Sequence, residues 1–225
     1  MPEAAAAPEL SAVLAAAFPS ARRDTLGLLE AAATSRQSAP GTVLMAPGEA
    51  SPPMLLVRAG IVARLVRGAD GREMASGVIG RGRIAGTTGL ARNTRSGTYL
   101  VTWTRVWTAH WPPERVRALI RGDAGLATDV LDHAIAVADE LAEALDELLT
   151  LPSITRLARI SLRYPELVFD AERPILSRGN LASLMGTSRE MMDRCIRQLE
   201  DDRIMLRTAP TGLVLLDHAA LAALS

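Results

Sequence analysis

Apolar positions along the chain change their spacing twice, and these changes divide it into three regions. Before Ala33 they recur three or four residues apart, with a break at Phe18-Pro19-Ser20, which predicts two short helices. From about Arg36 to Trp111 the pattern becomes short β-rich runs separated by Gly and Pro, and from Pro112 it is helical again. The predicted strands are Thr42–Ala46, Met54–Arg58, Ile61–Arg67, Arg72–Ile79, Tyr99–Thr104 and Val106–Trp111. Many short strands between regular turns indicate a β-barrel or sandwich.

The longest helical stretch carries two neighbouring apolar stripes. One follows an unbroken three-four spacing, which predicts the seam of a coiled coil with a second copy of the chain. The dimer interface predicted from this stripe comprises Val130, Ala134, Val137, Leu141, Ala144 and Leu148. The second stripe, Leu131, Ile135, Ala138, Ala142, Leu145 and Leu149, is then expected to pack on the β-rich region. The alternative is a helix buried wholly inside one chain.

The remaining face of this helix is acidic, and its carboxylates are expected to be solvated or neutralised by Arg156 and Arg159. Pro152 disfavours helical geometry at the residue before it, and Ser153 can cap a new helix. A hinge is therefore predicted here. The domains predicted are residues 1–111 (helices and β-rich region), 112–151 (dimerisation helix) and 152–225 (C-terminal domain).

The C-terminal region contains two short helical patterns joined by a glycine. Ser177 is a plausible N-cap of the first helix, Gly186 supplies a left-handed turn residue, and Thr187 or Ser188 can cap the second helix. This arrangement predicts a helix-turn-helix. Two short β-runs follow at once, which is typical of the wing of a winged helix.

The second helix of this unit has a polar face suited to DNA. Arginine can grip the O6 and N7 atoms of guanine, and glutamate can accept from the amino group of cytosine. A solvated helix face with a Glu190–Arg194 pair is the alternative. The predicted DNA-contacting residues are Ser188, Arg189, Glu190, Asp193 and Arg194, with Arg207 and Thr208 of the wing available for phosphate.

At these residues the chain resembles the cyclic-AMP receptor protein/FNR family of bacterial transcription regulators, most specifically between Leu176 and Asp202. The resemblance implies an α+β fold: an N-terminal β-roll of the cyclic-nucleotide-binding jelly-roll type, a long dimerisation helix and a C-terminal winged helix-turn-helix. It also implies a homodimer that binds a palindrome in double-stranded DNA and contacts RNA polymerase. By analogy, Arg189 and Arg194 would read guanines and Glu190 a cytosine. Asp193 stands where the family keeps a small or hydroxyl residue.

The sensor region departs from the pattern that the family's cyclic-nucleotide members use to hold their ligand. Thr87 stands where they place a Glu for the ribose, and Arg95-Ser96 keeps the phosphate-binding dipeptide about one place out of register. Leu141 and Ala142 replace hydroxyl residues that receive the base, and would leave its polar edge unpaired. The expected effector pocket comprises Thr87, Thr88, Arg95, Ser96, Leu141 and Ala142. Cyclic AMP is not expected to be its physiological ligand.

Composition narrows the remaining options. The single cysteine, Cys195, excludes an iron–sulfur cluster held by this chain's thiolates, and no metal-ligand spacing is present. Haem remains an alternative through ligands such as Pro2, His110, His133 or a methionine, as do a small anion or no effector at all. Cys195 is interpreted as a packed residue, with redox sensing as the alternative.

The chain of 225 residues has 25 basic and 25 acidic side chains, and every basic one is Arg. Net charge therefore supplies no general attraction to nucleic acid, so a few placed guanidinium groups must supply the affinity. No phosphate loop, HExxH pair or GxSxG motif is present, and an enzyme is not expected. The absence of a signal peptide and of a long apolar stretch predicts a cytoplasmic protein without membrane contact.

Overall fold

The computed structural model describes residues 8–50, 52–68, 73–91, 95–97, 99–171, 174–208 and 211–225. Its helices are α1 Leu10–Ala17, α2 Arg23–Ala32, α3 Pro113–Gly122, α4 Ala124–Thr150, α5 Ser153–Arg163, α6 Pro165–Val168, α7 Arg178–Leu184, α8 Arg189–Asp201 and α9 His218–Ala223, with a 3-10 helix at Thr87–Leu90. Its strands are β1 Thr34–Ser38, β2 Val43–Met45, β3 Met54–Ala59, β4 Val62–Arg67, β5 Glu73–Ile79, β6 Ile84–Ala85, β7 Tyr99–Thr102, β8 Val106–Trp111, β9 Met205–Thr208 and β10 Gly212–Leu215. The chain divides into two compact units, Met1–Leu65 with Val78–Glu140 and Val66–Gly77 with Leu141–Ser225.

Eight of the strands form two four-stranded sheets, in the orders β1-β8-β3-β6 and β2-β7-β4-β5. Strands β1 and β3 both run antiparallel to β8. The short strands expected from the β-rich runs are present, and β1 and β6 are additional strands that those runs did not reveal. With the long α4 and the C-terminal helices and hairpin, the element order confirms the predicted α+β architecture.

The first unit has two apolar layers. Between the sheets lie buried side chains such as Leu55, Val57 and Leu100. On the other face of the first sheet, Trp111 packs with residues from the surrounding helices, including Phe18. The indole Nε1 of Trp111 donates to the carbonyl oxygen of Leu29 at 2.7 Å, so its one polar atom is satisfied in this core.

The start of α4 is fixed by two buried carboxylates. Asp123 accepts from the backbone N–H of Gly125 at 3.0 Å and from that of Arg22 at 2.9 Å. Asp129 accepts from the backbone N–H of Ser20 at 3.0 Å. The side-chain hydrogen bond of Thr25, with the backbone hydrogen bonds from Arg22 and Leu126, lowers the pKa of Asp123 to about 2. Asp129 belongs to the acidic face of the long helix, which was expected to be solvated or neutralised by arginines. It is buried instead, because the chain between α1 and α2 supplies backbone donors to it.

Within the described residues, no helix combines the length and the apolar character needed to cross a membrane.

Candidate functional site

The helix-turn-helix is built as its capping residues predict. The hydroxyl of Ser177 accepts from the backbone N–H of Asn180 at 3.1 Å and begins α7, and that of Ser188 accepts from Met191 at 3.2 Å and begins α8. Gly186 between the helices has a φ of +60°. Residues other than glycine rarely adopt this left-handed conformation, so the turn favours glycine. The predicted caps and turn residue are confirmed.

The outer face of α8 presents charged side chains to solvent. Arg189, Glu190 and Arg194 are exposed, as is Ser188 just before them. Backbone and Ser188 hydrogen bonds lower the pKa of Glu190, assisted by the positive charges of the two arginines, so its carboxylate is ionised at neutral pH. An exposed arginine, glutamate and arginine on the first turns of this helix can reach base edges in a major groove.

Asp193 lies apart from this exposed group. It is half-buried, with Oδ1 3.7 Å from Nη1 of Arg178. The carboxylate therefore faces α7 of its own domain, which reduces the repulsion that it would exert on a phosphate.

Arg189 also lies close to α7. A Cβ added to Gly179 would stand 2.9 Å from Nη2 of Arg189, so the guanidinium rests over a position that has no side chain. The absence of a side chain at Gly179 leaves room for the guanidinium in this position.

The wing residues are held inside the domain. The backbone N–H of Arg207 donates to Oε1 of Glu200 at 2.8 Å, and its Nε donates to Oε2 at 2.6 Å. The hydroxyl of Thr208 donates to the carbonyl oxygen of Ala171. Both side chains were predicted to be available for phosphate, but these bonds engage them in the absence of DNA.

Cys195 is buried on the inner side of α8, and burial raises the pKa of its thiol against the opposing charges of Arg156 and Arg194. A protonated, buried thiol reacts slowly with oxidants. The structure therefore favours the packed interpretation of this cysteine over redox sensing.

The residues expected at the effector pocket fall in both units. Thr87 and Thr88 begin the 3-10 helix. Arg95 is exposed and its Nη1 donates to the carbonyl oxygen of Gly48 at 2.9 Å, whereas Ser96 is buried. Leu141 and Ala142 belong to the second unit and are exposed.

An ion cluster in the first unit was missed by the sequence analysis. Nη2 of Arg83 donates to Oε1 of Glu140 at 2.5 Å, and Nη1 of Arg64 lies 3.6 Å from Oε2 of the same carboxylate. The side chain of Arg64, on β4, is only 8% exposed. The sequence signal that could have revealed this cluster is an arginine flanked by apolar residues within a strand, in a chain that also has an acidic helix.

The apolar stripes of α4 differ in exposure. Val130 is 7% exposed and packs in the core of its own chain. Of the six residues predicted at the seam, Leu141 alone is exposed. From Leu131 onward, the exposed apolar residues of the helix form a continuous stripe, here called the α4 stripe: Leu131, Ile135, Ala138, Leu141, Ala142, Leu145 and Leu149. The placement of Val130 at the seam is thereby corrected, because its side chain is covered within the chain.

Four of the described residues are candidate haem ligands: His110, His133 and, among the methionines, Met45 and Met54. His110 is buried, and its Nε2 lies 2.8 Å from the hydroxyl oxygen of Thr108. A ring nitrogen of His133 lies 3.0 Å from the carbonyl oxygen of Ala17, and Met45 and Met54 are buried in apolar layers. Pro2 lies outside the described residues. In the described part of the chain, no group of three or more His, Cys, Asp or Glu residues could hold a metal ion.

Comparison with known proteins agrees with this geometry. The model described as a Crp-like helix-turn-helix domain matches residues 149–224, and that described as a cyclic nucleotide-binding domain matches residues 35–123. No curated protein sequence matches the chain.

Solved structures with the same fold cover most of the chain. FixK2 from Bradyrhizobium japonicum is 16% identical, with a TM-score of 0.75, and the match covers 86% of this chain and 97% of that one. The c-di-GMP responsive global regulator CLP from Xanthomonas campestris is 24% identical, with a TM-score of 0.74 and coverage of 87% and 100%. A CRP-family transcriptional regulator from Thermus thermophilus is 18% identical, with a TM-score of 0.71 and coverage of 84% and 95%. At these identities the solved structures support the fold, which confirms the predicted fold class.

Proposed function

The chain belongs to the Crp/Fnr family of transcription regulators, and we propose that it acts as a homodimer that binds a palindromic DNA site through two copies of α8. The observation that carries this proposal is the exposed trio Arg189, Glu190 and Arg194 on the first turns of a capped recognition helix. Members of this family act by binding DNA rather than by catalysis.

Base recognition is proposed for the trio, and a smaller role for the wing. Arg189 and Arg194 would each read a guanine with two hydrogen bonds, and Glu190 would accept from a cytosine. Arg207 is paired with Glu200, so contact with phosphate would require that ion pair to open. The affinity for DNA then depends on the guanidinium groups of Arg189 and Arg194 in each subunit, and the dimer doubles their number.

The dimer is proposed to form through the α4 stripe. Leu131, Ile135, Leu145 and Leu149 are between 49% and 74% exposed, which is a large apolar surface for one helix of a monomer. Ile135, Ala138, Ala142, Leu145 and Leu149 follow one another at alternating spacings of three and four, as a coiled-coil seam requires. The stripe runs along α4 from Leu131 to Leu149 and would pair with its copy.

The sensor is proposed not to use cyclic AMP. Thr87 offers no carboxylate to a ribose, and Leu141 and Ala142 offer no hydroxyl groups to an adenine edge. Titration calorimetry of the purified protein with cyclic AMP is expected to show no binding at micromolar concentration. A micromolar or tighter dissociation constant would overturn this part of the proposal.

DNA binding is tested by selection from a random pool of duplexes, followed by sequencing of the retained DNA. The expected result is enrichment of an inverted repeat. Arg189→Ala and Arg194→Ala should each weaken the selected site by about 1–3 kcal/mol in fluorescence anisotropy and relax one base position per half-site. Arg115→Ala, an exposed arginine on α3, is the matched control and should leave specificity unchanged. Failure to enrich any inverted repeat would refute the proposal.

RNA polymerase is proposed as a second partner, since regulators of this family act on transcription. The expected result is a change in transcript yield from a template carrying the selected site, with purified polymerase and the full-length protein. Equal yields with and without the protein would contradict it.

A further inference from the structure

A cleft of about 360 Å³ lies at one end of the first sheet, at the junction of β1, β8 and the start of α3. Its lining includes Thr34, Arg36, His110, Pro53, Pro113 and Glu114. All of these residues belong to the first unit, and none is part of the recognition helix or of the expected effector pocket.

The strand register gathers polar side chains beside this cleft. Thr34 pairs with His110 across β1 and β8, and Arg36 pairs with Thr108. Residues directly opposite each other in an antiparallel pair lie on the same face of the sheet, as do residues two apart on one strand. Thr34, Arg36, Thr108 and His110 therefore share one face, a polar group in a sheet whose neighbouring strand β3 is apolar there.

His110 has an unused hydrogen-bonding atom. His110 is only 5% exposed, and its Nε2 lies 2.8 Å from the hydroxyl oxygen of Thr108. Its Nδ1 is buried and has no hydrogen-bond partner among the described residues. Unsatisfied buried polar atoms are rare in native proteins, and each calls for a water, ion or ligand that completes it.

In one of the two neutral tautomers of His110, Nδ1 is the hydrogen-bond donor, and this is the tautomer that an anionic ligand would select. Burial, with the charge of Arg36, lowers the pKa of His110 to about 4, so the imidazole is neutral at neutral pH and carries one N–H. When the Thr108 hydroxyl donates to Nε2, that N–H is on Nδ1. The Arg36 guanidinium is exposed and has no ion-pair partner among the described residues. In that tautomer, Nδ1 of His110 and the cationic guanidinium of Arg36 are two hydrogen-bond donors that belong to residues lining one cleft.

The other walls define the rest of the ligand. Pro53, Pro112 and Pro113 contribute apolar rings and no backbone N–H, so they favour an apolar body. Glu114 also lines the cleft, and its negative charge disfavours a dianion. The volume lies within the range of about 300–1,000 Å³ that is usual for small-molecule sites.

From this geometry we infer that the cleft binds a small monocarboxylic acid with a compact apolar or aromatic body. Its carboxylate pairs with the Arg36 guanidinium and accepts a hydrogen bond from Nδ1 of His110, and its body packs on the prolines. This inference goes beyond DNA recognition and does not depend on it.

The site has a direct structural link to the 3-10 helix Thr87–Leu90. A Cβ added to Gly86 would stand 2.2 Å from the carbonyl oxygen of Pro53, and one added to Gly89 would stand 3.3 Å from Cγ of Pro113. The prolines that line the cleft therefore pack tightly against that helix. Since α3 also begins at Pro113, an acid bound in the cleft contacts residues that position both elements.

The first test is titration calorimetry of the full-length protein with sodium benzoate, phenylacetate and isovalerate, with benzamide as the neutral analogue of benzoate. At least one acid is expected to bind saturably with one site per chain and a dissociation constant below 1 mM, roughly tenfold more tightly than its amide. Arg36→Gln should weaken the acid at least tenfold, whereas Arg115→Gln, the control on α3, should not. No saturable binding by any of the acids, or equal binding by Arg36→Gln, would overturn the inference and leave a cleft that holds water only.

A second readout separates the site from a general charge effect. In histidine-selective NMR, the bound acid should raise the pKa of His110, because an anion beside Nδ1 stabilises the imidazolium, and should leave exposed His218 unchanged. An unchanged His110 signal at saturating acid would contradict the assigned contact. Arg189→Ala should bind the acid like wild type, so loss of DNA recognition and loss of this site are distinguishable.

Discussion

Arg207 of the wing and Glu200 of the recognition helix form an ion pair that includes two hydrogen bonds: the backbone N–H of Arg207 donates to Oε1 at 2.8 Å and its Nε donates to Oε2 at 2.6 Å. Both carboxylate oxygens are used, and the two side chains are only 30% and 18% exposed. The pair therefore fixes the hairpin β9–β10 on α8. It explains why an arginine in a wing need not contact DNA.

Glu200→Gln is expected to lower the free energy of unfolding by about 1 kcal/mol, because the pair is charged but partly solvated. The Arg207 hydrogen bond lowers the pKa of Glu200 below its ordinary value of 4.5. The stabilisation is therefore present above pH 4.5 and disappears as the pH falls through the lowered pKa of the folded state. Urea unfolding at several pH values tests this, with Asp201→Asn, an exposed neighbour, as control. A difference between wild type and Glu200→Gln that persists at pH 2 would contradict it.

Gly179→Ala is expected to separate DNA affinity from stability. Alanine favours a helix over glycine by roughly 0.5–1 kcal/mol, so α7 should not be weakened. The new methyl group would stand 2.9 Å from Nη2 of Arg189 and force the guanidinium to move. Specific DNA binding should fall several-fold in fluorescence anisotropy while the melting temperature is kept or raised. Gly122→Ala is the control, because a Cβ there meets nothing within 4 Å. An unchanged DNA affinity of Gly179→Ala would show that Arg189 binds DNA without its guanidinium lying over Gly179.

The sequence was sufficient where local chemistry decides the structure. Ser177, Ser188 and Gly186 act on neighbours within three residues, so their roles could be read from spacing alone. It was insufficient where the partner is distant: Asp129 accepts from Ser20, which is 109 residues away, and Glu140 pairs with Arg83, which is 57 residues away. An acidic helix face looks solvated until the donors that the fold brings to it are known.

The same limit explains the two stripes of α4. Both have helical spacing, and the sequence cannot tell which one the β-rich unit covers. Val130 was assigned to the seam because its stripe follows an unbroken three-four spacing. The core of its own chain buries it instead. Exposure, which depends on tertiary packing, distinguishes the two stripes.

Leu145→Glu on the α4 stripe is expected to split the dimer. Leu145 is 58% exposed in the single chain, and placing like charges opposite each other in a seam destabilises association. Analytical ultracentrifugation should show a monomer at concentrations where wild type is dimeric, and palindrome binding should be lost. Asp146→Ala, the exposed neighbouring residue, should remain dimeric. A dimeric Leu145→Glu would refute the proposed seam.

Glu140→Gln is expected to loosen α4 from the first unit's ion cluster. The carboxylate lies 2.5 Å from Nη2 of Arg83 and 3.6 Å from Nη1 of Arg64, and hydrogen bonds to charged groups contribute about 1.5–3 kcal/mol. A loss of that order in the free energy of unfolding is expected by urea titration. Asp139→Asn, exposed on the same helix, should cost much less. Equal losses in both variants would show that the cluster contributes no more than a solvated carboxylate.

His110 should give the protein a pH dependence of stability of its own. Its pKa is lowered from 6.5 to about 4, first by burial and then by the charge of Arg36. The unfolded chain takes up a proton below pH 6.5 and the folded chain only near pH 4, so stability is full above 6.5 and falls as the pH passes through this range. Relative to His110→Gln, wild type should lose about 3 kcal/mol between pH 7 and pH 4 in urea unfolding. His218→Gln changes an exposed histidine and should keep the pH dependence of wild-type stability. Parallel pH profiles for wild type and His110→Gln would show that burial does not hold the His110 imidazole neutral.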